Sequence, residues 1–177
     1  MSARIRSAES ADIPAVRALL AATWHATYDA LFGAERVSAM TRAWHSEENL
    51  GREWEEAEAF PAKRIFLVAG EEHALVATAS AVMLDAETVN LTRLYVLPDH
   101  QRQRLGQSML ERCLGHFPGA RRAQLQVVAG NASAVAFYRR HGFVEAATAP
   151  EAIEQGQRDP ACSFVMERLL PLFQPGH

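Results

Sequence analysis

The residues with the clearest chemical potential form a polar stretch at positions 99–107, between an apolar segment and an amphipathic one. Arg102 and Arg104 lie within it, and each could pair with the oxygens of a phosphate. A turn between a strand and a helix directs the free N–H groups of the helix N-terminus, and the positive end of the helix dipole, towards one point. The stretch therefore predicts an anion site suited to a phosphate, although an ordinary strand–helix connection has the same pattern.

The elements that must position this turn can be read from their apolar periodicity. Val89, Leu91 and Tyr95 alternate with their neighbours as in a β-strand, which Pro98 ends because it cannot donate to a ladder. A helix over residues 102–117 follows. Its apolar positions, which fall on one face, are Leu105, Met109, Leu110, Cys113, Leu114 and Phe117.

Length, composition and charge limit the class of protein. The 177 residues are 49% hydrophobic and 22% charged, with a formal net charge of −3, as in a soluble single domain. There is no basic block for nucleic acid, no apolar run near the ~20 residues of a membrane helix, and no signal-peptide core. We therefore expect a cytoplasmic protein without a nucleic-acid or membrane partner. Cys113, Cys162 and the scattered histidines lack metal-site spacing, so we expect no metal, and a buried thiol at Cys113.

The rest of the chain predicts an α/β domain, more closely α+β, with a mixed, mostly antiparallel sheet. We expect strands at residues 4–6, 65–69, 74–84, 88–96, 123–129, from 143 and at 162–170, and a polar loop at 156–160. A long helix begins near residue 13, two short helices cover 35–60, and another helix covers 131–141. Ser10 or Asp12 can cap the first helix, Asn131 can cap the last one, and Gly142 can end it.

Two segments resemble signatures of the GCN5-related N-acetyltransferase (GNAT) superfamily. Residues 95–106 resemble its acetyl-CoA-binding segment, Arg/Gln-x-x-Gly-x-Gly/Ala, with Gln101 at the first position and Gly106 at the last. Arg104 stands where the middle glycine normally lies. The second signature is Asn131-x-x-Ala134-x-x-Phe137-Tyr138-x-x-x-Gly142-Phe143. The resemblance covers about residues 62–170 and implies a small, single-domain, bacterial-type member over residues 1–177.

The resemblance implies both a fold and a cofactor. The sheet would splay open in its middle, with helices on both faces. Residues 1–60 would form the acceptor side, and residues 62–170 the core that binds acetyl-CoA as co-substrate, between the strand ending at Val96 and the strand ending near Ala129. The residues implied to contact the cofactor are Leu94, Tyr95, Val96, Gln101, Arg102, Gln103, Arg104, Leu105, Gly106, Gln107, Asn131, Ala134, Phe137 and Tyr138.

Acetyl transfer from a thioester to an amine needs a donor to the carbonyl oxygen and a proton for the departing thiolate. A backbone N–H beside Leu94 could donate to the oxyanion. Tyr138, with an ordinary pKa of ~10, matches a thiolate of pKa ~8.5 well enough to act as the general acid. The alternative for Tyr138 is a core aromatic residue beside Phe137.

The general base is harder to assign. A regular pleat places Asn90 and Thr92 on the same face as Leu94, and neither Asn90 nor Thr92 can take a proton. We therefore expect a catalytic water held by Asn90 or Thr92, or a group from the N-terminal helices, namely His25, Asp29 or Glu35.

The acceptor side is expected around three aromatic residues. Trp24, Tyr28 and Phe32 resemble the stretch that lies over the acceptor mouth in many small bacterial members, or they form a helix face packed on the sheet. An acidic surface would attract a cationic amine, although it is also typical of a solvated helix. Its glutamates are Glu35, Glu47, Glu48, Glu53, Glu55 and Glu56.

The sequence thus predicts an N-acetyltransferase that acts directly, in a ternary complex, on a primary amine of a small molecule or peptide. The protein would be a monomer or homodimer. One alternative is a non-catalytic acyl-CoA-binding or regulatory domain on the same fold, and another is an unrelated nucleotide-binding protein. Transfer to a hydroxyl acceptor also stays open.

Overall fold

Seven strands form one mixed sheet in the order β1-β2-β3-β4-β5-β7-β6. The computed structural model describes residues 3–71, 74–146 and 163–171. Within these residues β4 and β5 pair in parallel, and the other neighbouring strands are antiparallel, as predicted. The strands are β1 (Arg4–Ser7), β2 (Arg64–Glu71), β3 (Ala74–Met83), β4 (Thr88–Val96), β5 (Arg122–Val128), β6 (Val144–Glu145) and β7 (Ser163–Leu169).

Helices cover both faces of this sheet, which confirms the predicted layers. They are α1 (Ile13–Phe32), α2 (Ala34–Trp44), α3 (Glu47–Ala59), α4 (Leu105–Gly115) and α5 (Ala132–Arg140). One core lies under α4 and α5 and includes the buried Met109 and Leu125. A second core lies on the opposite face, under α1 and α3, where Leu20 and Leu50 are buried.

The predicted apolar stripe attaches α4 to the sheet. Its buried residues are Met109, Leu110, Cys113 and Leu114, which recur on one face of the helix. Full burial of an aliphatic side chain of this size contributes about 1.5–3 kcal/mol. This packing holds the start of α4 close to the end of β4.

The sheet opens between β4 and β5. These strands pair only from Thr88 with Arg122 to Leu91 with Leu125. Residues 92–96 of β4 and 126–128 of β5 are not paired with each other, although β4 stays on β3 and β5 stays on β7. The predicted splay in the middle of the sheet is therefore confirmed.

A β-bulge in β4 lies where the two strands begin to separate. Ser80 pairs with Arg93, whereas the next residue of β3, Ala81, pairs with Leu91. Thr92 is thus the extra residue of the bulge, and its hydroxyl donates to the Ser80 carbonyl at 3.0 Å. Such an insertion changes which side chains share a face of the sheet.

The bulge overturns the predicted face of Leu94. Leu94 packs on the core under α4, as Leu91 does, whereas Tyr95 packs on the core under α1 and α3. The expectation that Leu94 shares its face with Asn90 and Thr92 is therefore wrong. It assumed a regular pleat, and one inserted residue reverses the alternation.

The first long helix is not capped as predicted. Ser10 lies inside a short 3₁₀ turn, Ser10–Asp12, and the Asp12 side chain makes no capping hydrogen bond to α1. Instead, the Asp12 carboxylate accepts hydrogen bonds from the Arg6 guanidinium at 2.6 and 2.8 Å and from the Glu9 N–H at 2.8 Å. A charge-assisted contact with β1 replaces the cap.

Some expectations fall outside the described residues, namely the loop at 156–160 and Cys162. Cys113 is buried, as predicted. In the described ranges, no helix is both long and apolar enough to cross a bilayer. The same ranges hold no cluster of three or more metal-ligating side chains.

Candidate active site

The polar turn after β4 has a backbone conformation that differs from the predicted helix start. Arg102 and Arg104 have φ angles of 60° and 63°, in the left-handed region. Helix α4 therefore begins at Leu105 and not at residue 102. The Gln101 side chain donates to the Val96 carbonyl at 3.0 Å, which ties the turn to the end of β4.

The turn presents a run of free donors. Within the described residues, the backbone N–H groups of residues 102–107 donate no hydrogen bond to another group. The last three of these N–H groups belong to the first turn of α4, where the helix dipole is positive. Arg102 and Arg104 are exposed beside them. This arrangement fits the predicted anion site.

Replacing Arg104 by glycine is expected to raise the free energy of unfolding by about 0.5–1 kcal/mol. A left-handed conformation costs a non-glycine residue about 1–2 kcal/mol, and the greater entropy of glycine in the unfolded chain offsets about half of that. Chemical denaturation measures the change. Arg112→Gly, at an exposed helical position in the last turn of α4, is the control and should lower stability by up to about 1 kcal/mol. Equal losses in both variants would contradict the strain argument.

The second signature starts α5 as predicted. The Asn131 side-chain oxygen accepts from the Ala134 N–H at 3.0 Å and caps the helix. Gly142, with a φ of +84°, lies just beyond the helix end in the conformation that favours glycine. The Asn131 amide also donates to the Tyr28 hydroxyl at 3.2 Å, which connects α5 to α1.

The two signatures meet around Gly106. A Cβ atom at this position would lie 3.5 Å from the Phe137 ring and 3.8 Å from a methyl group of Val96. The start of α4, the middle of α5 and the end of β4 are therefore in close contact. The turn and Tyr138 consequently lie on elements that pack directly together.

The three tyrosines of the chain, Tyr28, Tyr95 and Tyr138, are neighbours at the opening of the sheet. Tyr138 is buried, with its ring 5.3 Å from Phe137 and 5.7 Å from Phe143 between centroids. Burial, followed by the proximity of Tyr28, raises the pKa of Tyr138 well above its usual range. The hydroxyl thus stays protonated at neutral pH. The predicted match between Tyr138 and a thiolate assumed the ordinary pKa of tyrosine. The pKa of the buried Tyr138 is higher than that value.

The predicted acceptor residues lie on the same opening. Trp24 and Tyr28 are buried, with ring centroids 4.8 Å apart, and Phe32 stacks on Tyr28 at 5.8 Å. Their cluster packs against Tyr95 of β4 and Val128 of β5, one residue from each separated strand. Trp24 and Tyr28 are therefore part of a core, as the packing alternative predicted. Contact with an acceptor stays a prediction.

The predicted base residues are scattered. Asn90 is half-buried on β4, and Glu35 is exposed at the start of α2. His25 bonds to Asp29 at 2.8 Å in a groove between α1 and α2. Within the described residues, no contact joins any of these side chains to Tyr138.

A buried charge cluster behind Tyr95 was missed from the sequence. The Arg93 guanidinium donates to the Glu53 carboxylate at 2.8 Å and lies 4.6 Å from the centre of the Phe66 ring. The Ser80 hydroxyl also donates to Glu53. The prediction that Glu53 belongs to an acidic surface is therefore wrong. The available signal was Arg93 itself, the one charged residue of β4, which needs a partner when buried.

Three buried polar atoms near this cluster have no hydrogen-bond partner among the described residues. They are Trp24 Nε1, His45 Nε2 and Arg93 Nε. The rings of Trp24 and His45 have centroids 5.4 Å apart. Burial, with the nearby Arg93 charge, lowers the pKa of His45 to about 4, so its imidazole is neutral at pH 7.

Comparison with known proteins agrees with this geometry. The profile described as Acetyltransferase (GNAT) family matches residues 24–143, which is more than half of the chain. The chain therefore belongs to the GNAT acetyltransferase family. A search of curated proteins found no significant match.

Solved structures share the fold along nearly the whole chain. PaiA N-acetyltransferase from Thermoplasma acidophilum, in complex with coenzyme A, is 22% identical with a TM-score of 0.83, covering 96% of this chain and 100% of that one. YncA from Salmonella typhimurium, a putative acetyltransferase with acetyl-CoA, is 20% identical with a TM-score of 0.69, covering 100% and 99%. Ribosomal-protein-S18-alanine N-acetyltransferase from Escherichia coli is 23% identical with a TM-score of 0.64, covering 98% and 96%.

Proposed function

We propose that this protein transfers an acetyl group from acetyl-CoA directly to a primary amine of a small molecule or peptide, in a ternary complex. The observation that carries the proposal is the separation of β4 from β5 after the pair Leu91–Leu125. It leaves an opening with the turn of residues 102–107 at one end and the buried residue Tyr138 nearby. Membership of the GNAT family supports acetyl transfer, and a neighbour named for a ribosomal-protein alanine supports an amine acceptor.

The residues at the opening fit acetyl-CoA. The N–H groups of residues 102–107, with Arg102 and Arg104, would hold its pyrophosphate. The backbone at Leu94 and Val96, which β5 leaves unpaired on that side, would hold the acetyl carbonyl and the pantetheine arm. When bound, the cofactor supplies an activated acetyl thioester.

The chain's own groups supply the remaining chemistry. A backbone N–H beside Leu94 would donate to the oxygen that becomes negative during attack. The Tyr138 hydroxyl would give its proton to the departing sulfur, a role that fits a group whose raised pKa keeps it protonated. Asn90 would hold the water that accepts the amine proton, since the Thr92 hydroxyl already donates to Ser80.

The role of Asn90 can be tested separately. Asn90→Ala is expected to shift the acidic limb of the pH–rate profile, because the water that accepts the amine proton would lose its partner. Thr92→Val, at the neighbouring bulge position, is the control for a local change in β4. Identical profiles for Asn90→Ala and the wild type would exclude this relay.

The whole proposal is tested by thiol release from acetyl-CoA across a panel of acceptors. The panel contains simple amines, polyamines, amino acids, aminoglycosides and short peptides. Turnover of the wild type with one acceptor class, strongly reduced in Tyr138→Phe, would support the enzyme and identify its substrate. Tight acetyl-CoA binding without turnover on any acceptor would favour the non-catalytic acyl-CoA-binding alternative.

A further inference from the structure

A groove between α1 and α2 contains polar side chains that the proposed acetyl transfer does not use. It has a volume of about 300 Å³ and is open to solvent. Small residues of α1 line part of it, and His25, Ser38, Arg17 and Arg42 provide its polar lining. A concave site with a few convergent polar groups is where a small ligand is expected to bind.

His25 lies between a carboxylate and a hydroxyl. Its Nδ1 is 2.8 Å from Asp29 Oδ1, and its Nε2 is 3.1 Å from Ser38 Oγ. The ionised carboxylate can only accept, so Nδ1 carries the ring proton and donates to Asp29. In the neutral ring with its proton on Nδ1, Nε2 can accept the hydrogen bond from the Ser38 hydroxyl. This is the direction of hydrogen bonding that activates a serine nucleophile.

Asp29, His25 and Ser38 form a hydrogen-bonded relay, and the connection between α1 and α2 holds it in place. His25 and Asp29 are one turn apart on α1 and face the same side. Gly33 alone separates α1 from α2, and its φ of +82° allows the abrupt change of direction that brings Ser38 beside His25. The serine and its base therefore lie on two rigid helices.

Arg42 gives the groove one cation that no carboxylate of the described residues neutralises. Arg42 follows Ser38 by one turn of α2, and within the described residues it has no ion-pair partner. Arg17 lies on α1 and makes an exposed 3.3 Å contact with Glu47. The positive charge favours an anionic ligand and would stabilise a negative oxygen that forms beside Ser38.

We propose that this groove is a second active site, in which Ser38 hydrolyses small esters that carry a carboxylate. The activity is separate from acetyl transfer, and neither depends on the other. No residue of the groove belongs to the opening between β4 and β5.

The reaction proceeds in two balanced steps. Ser38 Oγ bonds to the ester carbonyl carbon as its proton passes to His25 Nε2, and that proton then leaves on the alcohol oxygen when the C–O bond breaks. The acyl group stays on Ser38. His25 next takes a proton from water, whose oxygen attacks the acyl carbon, and Ser38 regains the proton as the carboxylic acid departs. Asp29 stabilises the charged imidazole in both steps.

Hydrolysis of 4-acetoxybenzoate and of its methyl ester tests the proposal, because the two esters differ in the carboxylate charge. Absorbance follows the release of phenol at pH 7. The wild type is expected to prefer the anionic ester by about fivefold or more, and Arg42→Met to lose the preference. Ser38→Ala and His25→Gln should each lower the rate by about 100-fold. Ser133→Ala, an exposed serine of α5, is the matched control.

Several results would overturn the proposal. A wild-type rate in Ser38→Ala with a loss in His25→Gln would mean that the imidazole acts alone, without a serine nucleophile. Equal rates of ester hydrolysis in all variants would exclude the groove as the site of the reaction. Mass spectrometry of a quenched reaction should find an acetyl group on Ser38. If turnover were slow and no acetyl group were found on Ser38, the acylation of this serine would be excluded. Ser38→Ala should keep the acetyltransferase activity of the wild type, which shows that it folds.

Discussion

Tyr138→Phe is expected to lower kcat for acetyl transfer by about 100-fold and to change the affinity for acetyl-CoA by less than about twofold. The substitution removes the hydroxyl that would protonate the departing sulfur. It keeps the ring, whose edge contacts with Phe137 and Phe143 hold α5 in place. Steady-state kinetics with calorimetric binding of acetyl-CoA separates the two quantities.

The pH dependence of the same reaction provides a second measurement. Burial raises the pKa of Tyr138, so the protonated form that acts as an acid persists into alkaline solution. The wild-type kcat should therefore show no fall from loss of this acid up to about pH 10, the ordinary pKa of tyrosine.

Tyr28→Phe is the comparison variant, because it removes a different hydroxyl from the same cluster, one that accepts a hydrogen bond from Asn131 at 3.2 Å. Its effect on kcat should be clearly smaller. If Tyr138→Phe kept kcat within about twofold of the wild type, another group would have to protonate the thiolate.

Glu53→Ala is expected to lower the free energy of unfolding by about 3–5 kcal/mol, because it leaves the Arg93 cation buried without its partner. Arg93 has 7% of its surface exposed and donates to Glu53 at 2.8 Å. Arg64 lies 3.6 Å from the same carboxylate. Chemical denaturation measures the loss, and Glu55→Ala, an exposed residue of the same helix, should stay within about 0.5 kcal/mol of the wild type.

A double variant distinguishes a buried charge from a general packing defect. In Glu53→Leu with Arg93→Met, both charges are replaced by apolar groups, so the combined loss should be smaller than that of Glu53→Ala alone. The single variants Glu53→Leu and Arg93→Met are measured beside the double variant. If the loss of stability in the double variant equals the sum of the two single losses, the ion pair does not hold α3 on the sheet.

Acid should weaken the contribution of Glu53. Burial raises its pKa, but Arg93, the Ser80 hydroxyl and Arg64 outweigh burial and lower the pKa below the ordinary value. A lowered carboxyl pKa stabilises the folded protein above the unfolded-state pKa of about 4.3 and loses that effect as pH falls through the folded pKa. The stability difference between wild type and Glu53→Ala should therefore be constant near pH 7 and shrink below about pH 4.

Local features of the chain were predictable because the residues that cause them are close in sequence. The apolar stripe of α4, the Asn131 cap and the Gly142 stop each depend on interactions within about one helical turn. The fold class followed from the order of these elements, and the splayed sheet followed from the resemblance carried by Gln101–Gly106 and residues 131–143.

The tertiary structure alone decided how distant residues meet. A single inserted residue, Thr92, reverses the alternation of β4 and sends Leu94 to the opposite face from the one expected. Nothing in the local pattern marks this insertion, because a bulge depends on the register with β3. The start of α4 at Leu105, and not at residue 102, was also decided by the structure, because Arg102 and Arg104 adopt left-handed angles.

The polar contacts at the heart of the molecule are also long-range. Glu53 and Arg93 are 40 residues apart, and Tyr28 and Asn131 are 103 residues apart. Periodicity identifies which face of an element is apolar, but it does not say which charge on another element lies opposite. The sequence by itself thus determined the elements, the family and the two signatures, whereas packing decided the partners of Glu53, the meeting of the tyrosines and the relay from Asp29 to Ser38.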